Sequence, residues 1–164
     1  MKSSGFAGLM LAAALFIVLS GLAMPDLVAS HFDSSGAADG FMPRHAYIGL
    51  TLVLVIGLPA LGVGLAGWTL GRPNARINIP HRAWWLAPQR RAETIERLLA
   101  GLRGFTAVLI VFLGYTHGLV VVANRRASPA LPEPWFVGGL AVFLLFVIVW
   151  LVRFMRGFRR PDAR

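Results

Sequence analysis

Four stretches of the chain contain no Asp, Glu, Lys or Arg: residues 3–25, 46–71, 104–124 and 134–152. A hydrocarbon core of about 30 Å takes roughly 20 helical residues to cross, and each stretch comes close to that length or exceeds it. In lipid every backbone N–H and C=O needs an internal partner, and the strict alternation of barrel strands is absent, so the runs read as helices. The expected fold is an all-α membrane protein, a four-transmembrane-helix bundle in which residues 1–164 form a single integral membrane domain. Composition points the same way, with 57% hydrophobic residues, 14% charged residues and a mean hydropathy of +0.68.

Charge orients the bundle. A net charge of +9 would suggest nucleic acid in a soluble chain, but here the basic residues lie between apolar runs. Membrane orientation accounts for them, and no nucleic-acid partner is expected. Lys2, the seven arginines of 72–103 and the five of 153–164 fall on one side of a four-span arrangement, and Arg44, Arg125 and Arg126 on the other. By the positive-inside rule both termini and the 72–103 loop are cytoplasmic, while loops 26–45 and 125–133 face outward. The location expected is the bacterial cytoplasmic (inner) membrane, multi-pass, with the lipid bilayer as first partner. A rival reading treats Lys2 and the run ending in Gly21-Leu22-Ala23 as a cleaved signal peptide, which would leave three spans. With no cysteine in the chain, disulfide scaffolds and thiolate chemistry are excluded.

Within span two, Ala60, Gly64, Gly67 and Gly71 share one helical face. Close packing inside the bundle is expected there ahead of a dimer face, and Pro59 is expected to kink the span. Residues 72–87, with Pro73, Pro80 and the pair Trp84-Trp85, read as an ordered interfacial loop. From Pro88 onward Ile95, Leu98, Leu99 and Leu102 recur opposite Arg90, Glu93 and Arg97. That pattern predicts an interfacial amphipathic helix lying along the membrane and leading into span three, with Glu93 and Arg97 at pairing distance on its solvated face.

The outward loop is the most distinctive segment. It mixes turn formers with Leu27, Val28, Phe32, Phe41 and Met42, which predicts a compact loop packed on the bundle, with Gly36 and Gly40 at positive-φ turns. Its Pro25, Asp26, Val28, Ala29, His31 and Phe32, followed by Gly36, Asp39 and Gly40, match a pattern Leu-Pro-(Asp/Glu)-x-(Val/Ile)-(Ala/Pro)-x-His-(Phe/Trp) and a Gly-x-x-(Asp/Asn)-Gly turn. In this the chain resembles a bacterial domain-of-unknown-function membrane family that shares the N-terminal motif of SdpI-type bacteriocin-immunity proteins. Met24 stands where that pattern has leucine, and the motif covers only the first two helices. The resemblance implies a membrane location and an outward loop of shared shape. It also suggests immunity or envelope sensing through contact with a toxin, a peptide or a membrane-protein partner at Pro25, Asp26, His31, Phe32, Gly36, Asp39 and Gly40.

His31, Asp33, Asp39 and His45 carry metal-ligand chemistry, but their spacing matches no compact signature. A hydrogen-bonded loop framework is expected instead, with no metal and no cofactor. Tyr115, His117 and Asn124 are the intramembrane polar candidates. His117 and His45 are expected at similar depth, where they could meet in an outer vestibule; alternatively His117 bonds a carbonyl or Tyr115 within the bundle. No nucleophile elbow, phosphate loop or metalloprotease helix is present, so the chain is not expected to be an enzyme. A small transporter or channel subunit, acting as a homo-oligomer, is the alternative function.

Overall fold

The computed structural model describes residues 1–159. Among these residues four helical segments are long and apolar enough to cross a membrane: Ser3–Leu22, Arg44–Leu70, Arg91–Ala123 and Glu133–Arg156. They match the four apolar runs, and their direction puts one set of connections at each end of the bundle.

Helix α1 (Ser3–Leu22) is apolar on all sides, with only Phe6, Ile17 and Gly21 buried, as suits a helix whose solvent is lipid. It leads into a hairpin of β1 (Leu27–Phe32) and β2 (Ala38–Pro43). This hairpin corrects the all-α expectation: the outward segment is paired sheet, not irregular loop. The second span begins as α2 (Arg44–Leu52), passes through a π-helical turn at Val53–Gly57, and continues as α3 (Leu58–Leu70). Pro59 explains the interruption, since it has no N–H and its ring crowds the carbonyl four residues back. The wider turn, closed by the Leu58 N–H on the Val53 carbonyl, absorbs both defects just ahead of it.

Beyond the short α4 (Arg82–Trp85) comes α5 (Arg91–Ala123), 33 residues long and therefore about 50 Å at 1.5 Å per residue. The amphipathic segment expected to lie along the membrane is continuous with span three in this one helix. No proline or helix-breaking turn separates the two halves, so nothing in the backbone forces a corner. α5 is the central element, packing against α1, α3 and α6. Phe6, Ile17, Val55, Ala107 and Ile110 form the main apolar core along it, and Met24, Val28, Tyr47 and Val121 form a second cluster under the hairpin.

At the arginine-rich end the 72–90 segment is ordered, with Ile77 and Trp85 buried. The Trp85 indole Nε1 donates to the Phe158 carbonyl at 2.8 Å, and the Thr94 hydroxyl donates to the Trp85 carbonyl at 2.8 Å. Arg97 lies 5.3 Å from both the Trp85 and the Phe158 ring centroids. Its charge is therefore taken up by aromatic faces. The expected Glu93–Arg97 pair is replaced on this helix by Glu96 and Arg103 at 3.8 Å.

Close helix approaches occur at glycines other than the expected ones. A Cβ at Gly21 would stand 2.7 Å from Ile48, one at Gly101 2.5 Å from Phe154, and one at Gly139 within contact of the Tyr115 ring, whereas Gly64 and Gly67 have no heavy atom within 4 Å of that position. The small face of span two thus points away from its own bundle, and the intrabundle reading is overturned. α6 (Glu133–Arg156) buries no residue of its own and sits on α5 through Tyr115 over Gly139 and the stacked Phe112 and Phe143 rings, 4.4 Å apart. Gly139→Ala is expected to cost about 1 to 3 kcal/mol because it overpacks this seam, while Gly138→Ala, which meets open space, should stay within about 0.5 kcal/mol. Thermal unfolding of the two variants in one detergent checks the difference; equal midpoints would mean the Tyr115 contact does not hold α6.

Candidate functional site

The hairpin end gathers most of the residues singled out by the sequence. In the antiparallel register Leu27 faces Pro43, Val28 faces Met42 and Ala29 faces Phe41, after which two irregularities bring His31 opposite Gly40 and Phe32 opposite Ala38. Such bulges re-aim side chains. His31 and Asp39 become exposed neighbours, with Nδ1 and Oδ1 2.5 Å apart. Gly40 is needed for clearance, since a Cβ there would stand 2.8 Å from the His31 Cβ. The positive-φ expectation holds at Gly36 (φ 81°), and Gly40 is corrected to ordinary strand backbone.

Asp33 organises the turn. Its Oδ1 accepts from the Ser35 hydroxyl at 2.6 Å, the Ser35 amide at 2.8 Å and the Ala37 amide at 3.0 Å. The Ser35 hydroxyl, followed by the backbone amides, holds the carboxyl below its ordinary value of 3.8. At the base of the hairpin Arg44 donates to the Met24 carbonyl at 2.8 Å and pairs with Asp26 at 2.9 Å, so the motif's Asp26 steadies an arginine that covers the end of α1. Pro25 precedes it as an exposed residue of the connecting turn.

Asn124 fixes the hairpin to the bundle. From the end of α5 its Oδ1 accepts the Ala29 N–H at 2.8 Å and its Nδ2 donates to the Ala29 carbonyl at 2.9 Å. The side-chain amide thereby does for the edge of β1 what a neighbouring strand would do. The loop from α5 to α6 serves the turn similarly: Leu131 N–H donates to the Gly36 carbonyl at 2.8 Å, and Ala38 N–H to the Pro129 carbonyl at 3.3 Å. Between hairpin and helices lies a cavity of 390 Å³ lined by the polar His31, Asp33 and Glu133 and the apolar Phe32, Leu131 and Phe136, among others.

His117 lies deeper, only 3% exposed, and joins three helices. Its Nε2 is 2.8 Å from the Ser20 hydroxyl and its Nδ1 2.9 Å from the Tyr47 hydroxyl, with the Tyr47 ring stacked and the Phe16 ring edge-on. Ser20 gives its one proton to the Phe16 carbonyl, so it accepts from Nε2–H, and Tyr47 donates to Nδ1. One neutral tautomer therefore satisfies every group. The vestibule with His45 does not form, because His45 is exposed at the start of α2. Tyr115 bonds the Trp135 carbonyl at 2.6 Å, at the α6 seam and away from His117. Ser20 and Tyr47 were not singled out in the sequence; a polar side chain within or beside an apolar span was the available signal.

Comparison with models of known families, with curated proteins and with solved structures finds no match for this chain.

Two outcomes are expected at the cap. Asn124→Leu strands the buried N–H and C=O of Ala29, which should cost about 2 to 4 kcal/mol and accelerate hydrogen exchange at the Ala29 amide. Unchanged Ala29 exchange would show the latch to be idle. Because the folded pKa of Asp33 is depressed, its contribution to the turn is complete above 3.8 and drains as pH falls through the lower folded value. Ser35→Ala should move the Asp33 titration, followed by carboxyl NMR shifts, upward toward 3.8; a titration that stays put would contradict the hydroxyl bond as its main cause.

Proposed function

We propose that the chain is a multi-pass protein of the bacterial cytoplasmic membrane that binds a peptide through its outward cap and carries out no covalent chemistry. The role is that of the immunity or envelope-sensing proteins it resembles at Pro25, Asp26, His31, Phe32, Gly36, Asp39 and Gly40. The observation that carries this reading is the preformed cleft between hairpin and helices, held open by backbone pairing with Asn124 and the 129–131 loop. A rigid cleft binds without first having to be ordered, which favours recognition over disorder-driven contact.

The lining suggests the ligand. Asp33, Glu133 and His31 share its lining with the apolar Phe32, Leu131 and Phe136. That combination suits a cationic group carried on an apolar body, such as a Lys- or Arg-bearing amphipathic peptide. The transporter alternative would need His117 on a path, and its ring is instead held on both nitrogens by Tyr47 and Ser20.

Two measurements test the proposal. Single cysteines at the exposed Ser34 and Ser128 should react with an impermeant thiol reagent on intact cells, and one at the exposed Ala92 should not. The reverse pattern would put the cap in the cytoplasm. A panel of fluorescent amphipathic peptides is then titrated onto the chain in phosphatidylcholine nanodiscs, with empty discs as baseline. At least one Lys- or Arg-bearing peptide should bind above baseline and lose about tenfold in affinity on Glu133→Gln. Binding indifferent to that substitution, or equal to the empty disc throughout, would overturn the reading.

A further inference from the structure

At the opposite end of the molecule a second concavity, of 680 Å³, lies between the turn after α3, helix α4 and the first turn of α5. Its lining includes the guanidinium-bearing Arg76, Arg82 and Arg91 beside Asn74 and the small apolar wall of Ala83 and Leu86. Arg76 and Arg82 are exposed and Arg91 is half-buried, and three cations around one concavity present a positive field that an anion placed among them would satisfy. No ion pair among the described residues involves any of the three; the pairs formed are His31–Asp39, Arg44–Asp26 and Arg103–Glu96. Neighbouring arginines are treated differently: Arg72 covers the Trp68 ring at 3.5 Å, Arg90 the Trp84 ring at 4.0 Å, and Arg97 lies against Trp85 and Phe158.

The pocket is built as well as charged. Arg91 donates to the Arg72 carbonyl at 2.7 Å, which ties the start of α5 to the end of α3 and fixes its guanidinium at the rim. Its remaining N–H groups have no partner among the described residues. The site's first lining residue, Pro73, lies three positions beyond Leu70, the last residue of a helix long and apolar enough to cross a membrane, and Trp68 and Trp84, of a type that settles at headgroup depth, are close to it in sequence. Guanidinium forks match phosphate oxygens in geometry as well as in charge.

We infer that the pocket formed by Arg76, Arg82 and Arg91 binds a phosphate-bearing anion at the membrane surface. Orientation alone would require arginines at this end, but would not gather three of them around one cavity without carboxylate partners among the described residues.

The test uses the full chain in a neutral detergent and native mass spectrometry. Dioleoylphosphatidylglycerol and dioleoylphosphatidylcholine are titrated separately, each with and without inorganic phosphate. Phosphatidylglycerol should bind more tightly than phosphatidylcholine, and Arg76→Gln with Arg82→Gln should weaken it by about thirtyfold. The charge-matched pair Arg153→Gln with Arg156→Gln, on exposed positions at the same end, should change it by no more than about twofold. Each single substitution should give an intermediate loss, which keeps the test readable if the double variant misfolds. Inorganic phosphate that displaces the lipid, in a manner dependent on Arg76 and Arg82, would identify a free phosphate compound as the source; failure to displace it would identify the lipid headgroup. Equal losses in the two charge-matched pairs, or equal binding of the two lipids, would overturn the site.

Discussion

A buried backbone polar group needs a partner wherever water cannot reach it, and the hairpin end of this protein is arranged around that requirement at Ala29, which is fully buried. A two-stranded sheet has two open edges and is marginal in isolation. Here the amide of Asn124 occupies the Ala29 position on one edge, and the loop from α5 to α6 supplies Pro129 and Leu131 to the Gly36–Ala38 segment. Because Asn124 ends the helix that also carries His117, the depth of the hairpin is set by the same helix that organises the bundle. The cleft, the position of Glu133 and the start of α6 all follow from where that latch holds β1.

What could be read from the sequence divides along physical lines. The spans were legible because the exclusion of charge from lipid acts on each residue separately and leaves a mark at every position. The hairpin was not, since its bulges at residues 29–32 break the alternation by which a strand is recognised. Its Asp33-to-Gly36 turn is still visible in composition, through a hydrogen-bonding Asp33 and a glycine where the backbone takes positive φ at Gly36. Glycine packing is hidden from the sequence for a different reason. Spacing places Ala60, Gly64, Gly67 and Gly71 on one face, but the rotation of that face depends on neighbours the sequence does not name. Gly21, Gly101 and Gly139 carry no periodic signature, and only their partners Ile48, Phe154 and Tyr115 explain them. Likewise Arg76, Arg82 and Arg91 become one site only after the chain has turned twice.

The two ends are held by different interactions. At the hairpin end, hydrogen bonds to backbone groups fix position and register. At the arginine end, cations on aromatic faces and long side chains on carbonyls do the holding, with Arg97 between Trp85 and Phe158 and Trp85 bonded to the Phe158 carbonyl. Directional bonds suit a cleft that must keep its shape. At the arginine end the aromatic and cationic contacts are joined by directional bonds of their own, from Trp85 to the Phe158 carbonyl and from Thr94 to the Trp85 carbonyl.

Helix α6 joins these two regimes. It buries none of its residues, so apolar burial within the chain does little to hold it, and transfer between lipid and a lipid-like neighbour supplies no comparable driving force. Its attachment rests on shape along one seam and on its ends. Along the seam Tyr115 sits over Gly139 and Phe112 stacks on Phe143; at one end the 129–131 loop is paired to the hairpin, and at the other Phe158 is enclosed by Trp85 and Phe154. The hairpin latch and the aromatic cluster around Trp85, some 50 Å of helix apart by the length of α5, thus close one mechanical loop through α5 and α6.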